Sequence, residues 1–106
     1  MLTATYVFNP ATNTWSLAAP MGKPRGAPFA ITLPTGDVLV AGGGARSASA
    51  TTEVLDGQSL TWTGGRPLNG PRNGGRGVML PNGHPFVAGG NNASGVLVSA
   101  EEYLGD

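Results

Sequence analysis

The segment LPTGDVLVAGG, from Leu33 to Gly43, returns as LPNGHPFVAGG from Leu80 to Gly90, a displacement of 47 residues in a chain of 106. A repeat of that length restricts the fold severely, because one unit must adopt the same structure twice and cover its open faces with its neighbour. The same displacement superposes Trp15 on Trp62, Pro20 on Pro67, Pro24-Arg25 on Pro71-Arg72, and Val40-Ala41-Gly42-Gly43 on Val87-Ala88-Gly89-Gly90. Phe8 falls on Leu55, and the turn-type pair Asn9-Pro10 falls on Asp56-Gly57. A third unit begins in EEYLGD, where Tyr103 matches Leu55 at a displacement of 48. The added residue is expected in the loop after the glycines, where insertions are tolerated.

Within one period the apolar runs are short and bounded by turn residues. FAITLP and VLVAGG flank Pro34-Thr35-Gly36-Asp37, and TEVLD and SLTWTG flank Asp56–Gln58, so each pair reads as a hairpin. The second copy supplies GVMLP, PFVAGG and AEEYLG, while ATYVFN and TNTWSL precede the first full unit. No segment has helical periodicity of useful length. The content of 18 Gly and 9 Pro fits many short strands joined by tight turns, and a period of 40–50 residues with that content points to propeller blades. The fold class expected is therefore all-β.

The arrangement of the glycine pair, an apolar residue with a turn pair, and Trp seven residues later resembles the kelch repeat. Gly42-Gly43, Leu55 and Trp62 carry the match in the middle unit, with Phe8 and Trp15 before it and Gly89, Gly90 and Tyr103 after it. Leu55 stands where that family usually has Tyr, and the last unit stops before its Trp. The resemblance implies a kelch-type β-propeller segment of about two four-stranded antiparallel blades. Residues 1–25 would supply the two outer strands of one blade, 26–64 a full blade, and 73–104 the first three strands of the next. Glycine at a strand end permits positive φ or close approach of a neighbouring backbone. An indole on the outer strand would fill the wedge between blades, a burial whose removal costs about 3–5 kcal/mol. Trp15 and Trp62 are accordingly expected to be structural.

Propellers close with about 4–8 blades, so two blades form an incomplete ring with unpaired edges. Either the chain is a piece of a longer propeller, or several copies complete a ring. In the second case the first two strands would compete with the final EEYLGD strand for one slot.

The formal net charge is zero, but its distribution is uneven. On an antiparallel four-strand map, Lys23, Arg25, Arg66, Arg72 and Arg76 lie in or beside the connections between units, and Arg46 lies in the loop after the glycines. Asp37 and Asp56 lie at the opposite turns. One reading is a basic loop face, formed by Arg25, Arg46, Arg66, Arg72 and Arg76, that attracts an acidic partner segment or an anionic sugar. The other is that Arg25 and Arg72, which recur in register, brace the inner strand by bonding loop carbonyls. Arg46, Arg66 and Arg76 do not recur at that spacing, which suits contacts specific to each loop.

Little points to catalysis. His84, the only histidine, sits in the turn PNGHP, and no His, Cys and carboxylate cluster has metal spacing. GGGAR resembles a phosphate loop in glycine content alone. Cysteine is absent, so disulfides and thiolate sites are excluded. Asn92-Ala93-Ser94 is a glycosylation sequon by pattern and a polar loop by context. The first ten residues lack the charged and apolar regions of a secretory signal, no run is long enough to span a bilayer as a helix, and nucleic-acid binding would need a basic balance. The expectation is a non-catalytic module without cofactors that binds protein, further copies of itself or carbohydrate. The alternative is a slice of a secreted protein similar to galactose oxidase, whose copper site uses Tyr, Cys and His. Without cysteine this chain would be inactive in that role.

Overall fold

A computed structural model describes residues 3–44 and 47–104, and Arg46 lies outside them. Among the described residues there is no helix, and the all-β expectation holds. Eleven short strands follow one another: β1 Tyr6–Asn9, β2 Thr14–Leu17, β3 Phe29–Thr32, β4 Val38–Ala41, β5 Thr52–Leu55, β6 Trp62–Gly64, β7 Arg76–Met79, β8 Pro85–Ala88, β9 Asn91–Asn92, β10 Gly95–Val96 and β11 Ala100–Glu102. They pair antiparallel as a hairpin β1-β2, a four-stranded sheet β3-β4-β5-β6, a three-stranded sheet β7-β8-β11, and a small hairpin β9-β10.

The outer strands start later than the apolar pattern suggests. SLTWTG begins its strand only at Trp62, because Asp56 folds the preceding residues into a turn: its Oδ1 accepts from the amides of Gln58 (2.8 Å) and Ser59 (2.9 Å), and Leu60 takes φ 58°. TNTWSL behaves alike, with Asn13 at φ 57° in the register position of Leu60. The β9-β10 hairpin has no counterpart in the sequence reading. It falls in the loop after Gly89-Gly90, where the extra residue of the 48 spacing was expected.

The core lies between the two larger sheets. Phe29 and Ile31 of β3, with their cross-strand partners Ala41 and Leu39 of β4, form one wall. Val87 of β8, Leu68 and Tyr103 form the other. Each fully buried side chain of this kind contributes about 1.5–3 kcal/mol. Contact across the wall is close at Gly77, where a Cβ would meet Ile31 Cδ1 at 2.9 Å and Phe29 Cδ1 at 3.1 Å. Backbone hydrogen bonds also join the units: Gly43 N–H donates to Arg72 O at 2.7 Å and Gly74 N–H to Ala27 O at 3.1 Å.

Candidate functional site

The connections that follow the glycines and those that link the units gather at one edge. Gly26 bridges Gly44, Ser49 bridges Arg72, and Asn73 bridges Asn91, while Leu68 N–H donates to Ala50 O. The tight hairpin turns gather at the other edge, where Gly57 N–H donates to Asp37 Oδ1 at 2.9 Å. The loop edge is therefore the place to look for the expected basic face.

Two of its arginines are not available to a partner. Arg25 is buried, and its guanidinium donates to Gly42 O (2.8 Å), Thr51 O (3.0 Å), Thr51 Oγ1 (3.0 Å) and Glu53 Oε2 (3.0 and 3.2 Å). The other carboxylate oxygen of Glu53 accepts from Gly22 N–H at 2.6 Å. Arg72 repeats the arrangement: it donates to Gly89 O, Ser99 O, Ser99 Oγ and Glu101 Oε2, while Glu101 Oε1 accepts from Asn69 N–H. A fork of fixed donors can satisfy two carbonyls and a carboxylate at once, which a lysine ammonium cannot. The brace is thus built from Arg, Glu and a hydroxyl residue, and it ties the connection between units to the third strand of the next sheet.

The expected basic face shrinks accordingly. Arg25 and Arg72 leave it because they are buried and paired, and Arg46 lies outside the described residues. Arg66 is exposed in the connection after β6, and Lys23 is exposed in the one after β2. Arg76 is also exposed, but as the first residue of β7 it shares the outward face of that strand with Val78 and does not belong to a loop. The acidic partners of the brace were missed in the sequence because Glu53 and Glu101 recur at 48 residues, the spacing of Leu55 and Tyr103, not at 47.

The glycine pairs behave as strand-end glycines should. Gly42, Gly43, Gly89 and Gly90 all have positive φ, between 72° and 88°. At Gly42 a Cβ would meet Arg72 O at 2.7 Å, whereas at Gly89 nothing lies within 4 Å. The difference follows from the neighbour: the middle unit has the Arg72 carbonyl of the next unit seated on it, and the last has no such carbonyl among the described residues.

The tryptophans share a register and differ in surroundings. Trp62 pairs with Leu55 across β5-β6, is half-buried, and donates from Nε1 to Ala19 O of the preceding connection at 2.9 Å. Trp15 pairs with Phe8 across β1-β2, with ring centroids 5.1 Å apart, yet it is 68% exposed. Trp15 therefore fills no wedge among the described residues. Tyr6, Phe8 and Leu17 share its face, and all are exposed.

Two further features bear on chemistry. Among the described residues no group of three His, Cys, Asp or Glu side chains could hold a metal ion. His84 Nδ1 lies 2.6 Å from Glu102 Oε2 at the exposed turn edge, and Asn82 Nδ2 donates to the same oxygen at 3.0 Å. These contacts hold the Glu102 carboxyl below the usual range, with the His84 hydrogen bond the larger cause.

No family model matches the chain, and no curated protein does. Among solved structures 81 chains match. One of them, a structure of YjhT, is similar with a TM-score of 0.69 and 19% identity over 82% of this chain. This chain corresponds to 30% of that one's length, and at such identity the likeness is one of fold.

Proposed function

We propose that the chain is a two-blade, kelch-type β-propeller segment that acts as a non-catalytic binding module, with an acidic peptide segment as its partner. The observation that carries the reading is the twofold Arg25–Glu53 and Arg72–Glu101 brace. The Arg Nε to Glu Oε2 bond recurs from one unit to the next and in each fastens the connection to the sheet that follows, in keeping with stacked repeats. The brace also consumes two arginines structurally, which leaves Lys23 and Arg66 as exposed cations of the loop edge and separates binding from folding. Long-range attraction to a negatively charged segment follows from those charges and weakens with salt.

A fluorescently labelled glutamate-rich peptide tests the proposal by anisotropy. Binding that falls with ionic strength, and falls again in a Lys23→Ala, Arg66→Ala double variant of unchanged thermal stability, is expected. Absence of binding, or equal loss of binding and stability, sinks it. Binding of an anionic polysaccharide in place of the peptide would redirect the partner class to carbohydrate.

A further inference from the structure

Three asparagines are followed by glycine, in the steps Asn69-Gly70, Asn73-Gly74 and Asn82-Gly83. Asparagine is a chemically labile residue, and a following glycine makes it more so, because without a Cβ the next amide nitrogen is open to approach by the side-chain carbonyl carbon. The fold treats the three steps differently. Gly74 N–H donates to Ala27 O at 3.1 Å, and Asn73 is held by its bridge to Asn91. Gly83 N–H donates to Leu80 O at 3.0 Å, and both ends of the Asn82 side chain are engaged, Oδ1 by the His84 amide and Nδ2 by Glu102. At the remaining step neither the Gly70 N–H nor the side-chain amide of Asn69 has a partner among the described residues, and Asn69 is exposed.

We propose that Asn69 is a site of spontaneous deamidation, and that its conversion loosens the second of the two arginine braces. Hydroxide takes the Gly70 amide proton, and the nitrogen attacks Asn69 Cγ. The bond from Cγ to Nδ2 breaks, Nδ2 leaves as ammonia with a proton from water, and a cyclic succinimide closes. Water then opens the ring at one of its two carbonyls, which leaves an aspartyl or an isoaspartyl residue. The sum is one water consumed and one ammonia released, with no change of oxidation state.

The consequence follows from what residue 69 holds. Its N–H donates to Glu101 Oε1 at 2.8 Å, and Arg72 Nε donates to Oε2 of the same carboxylate at 3.4 Å. An isoaspartyl link adds a methylene to the backbone between these two donors, so they no longer fit one carboxylate as they do now. The aspartyl product keeps the backbone but adds a negative charge to the residue whose amide Glu101 holds, and like charges repel. The first brace has Gly22 at this position, donating to Glu53 Oε1 at 2.6 Å, and it has no side-chain amide to lose. Two braces that use the same kinds of donor and acceptor therefore age differently.

The whole chain is incubated at mildly alkaline pH and digested with trypsin. Cuts after Arg46, Arg72 and Arg76 put the three steps on separate peptides, and Arg66, followed by Pro67, is spared. Mass spectrometry should show exchange of the amide for a carboxyl at Asn69 at a rate about fivefold or more above the other two, the factor that one hydrogen bond to be broken corresponds to. In urea the preference should collapse. Gly70→Ala is the control, since Gly70 has no positive φ and an added Cβ meets nothing within 4 Å, so the variant keeps the fold while its methyl hinders attack. Aged wild type should melt below fresh protein, and an equally aged Gly70→Ala chain should not. Comparable rates at the three steps in the folded chain, faster conversion at Asn73 or Asn82, or a preference that persists in urea overturns the site. Conversion at Asn69 with an unchanged melting temperature overturns its effect on the brace.

Discussion

Arg25 and Glu53 face each other at 3.0 Å with side chains that are 1% and 10% exposed, and between them they satisfy two carbonyls, a hydroxyl and a loop amide. Among the described residues no buried side-chain nitrogen or oxygen is left without a partner, so the pair is fully compensated. Removing one member leaves the other buried and uncompensated, a change that costs about 3–5 kcal/mol. A domain of this size holds only about 5–15 kcal/mol in total. Arg25→Ala is therefore expected to unfold a large fraction of the chain at ambient temperature, measured by urea titration. Arg25→Lys is expected to recover little, because one ammonium cannot reach Gly42 O, Thr51 O and Glu53 together. A Lys variant of wild-type stability would show that charge alone, without the fork geometry, is what the brace requires.

The brace also marks how far the sequence could be read. The displacement of 47 superposes the strands, the glycine pairs and the tryptophans, and all of these occupy matching registers because the period acts on backbone pairing, which neighbouring residues determine. It left two roles open for Arg25 and Arg72, since a guanidinium in a loop looks the same in a sequence whether it faces solvent or a buried carboxylate. Their partners sit at a spacing of 48 on another strand, and only folding brings Glu53 to Gly22 and Glu101 to Asn69. Trp15 shows the converse. Its register is legible, but its exposure depends on what packs against it, which register alone does not show.

Acid should weaken the turn edge. The exposed Asp56 carboxylate accepts from the Ser59 and Gln58 amides, and these bonds, Ser59 first, hold its pKa below the ordinary 3.8. Glu102 is likewise held below 4.5 by His84 and Asn82. A carboxyl whose folded pKa is depressed contributes stability that is present above its unfolded value and is lost as pH falls through the folded value. The melting temperature should therefore fall on acidification below about pH 4.5. Asp56→Ala should lie below the wild type at neutral pH and converge on it as pH drops past 3.8. Parallel curves for the two proteins across that range would show that the Asp56 turn contributes nothing to the acid limb.

Glycine substitutions can tell left-handed strain from contact between sheets, because among the described residues the repeat offers the same backbone with and without a neighbour. Gly42 and Gly89 have φ of 72° and 73°, so alanine at either meets the left-handed penalty of about 1–2 kcal/mol. Only at Gly42 does the new Cβ also strike Arg72 O, at 2.7 Å, and push away the carbonyl that accepts from Gly43 N–H. Gly42→Ala should thus lose more stability than Gly89→Ala, by at least the about 1 kcal/mol of one hydrogen bond. The opposite change serves as the control. Ala27 is exposed at φ 50°, and its counterpart one period later is Gly74 at φ 75°, so Ala27→Gly relieves strain without opening a cavity. It should raise stability by up to about 1 kcal/mol, the glycine's greater unfolded-state entropy offsetting part of the relief. Equal losses at Gly42 and Gly89, read by chemical denaturation, would mean that the Arg72 carbonyl does not sit on Gly42 in solution, and the stacking of the two larger sheets would have to be redrawn.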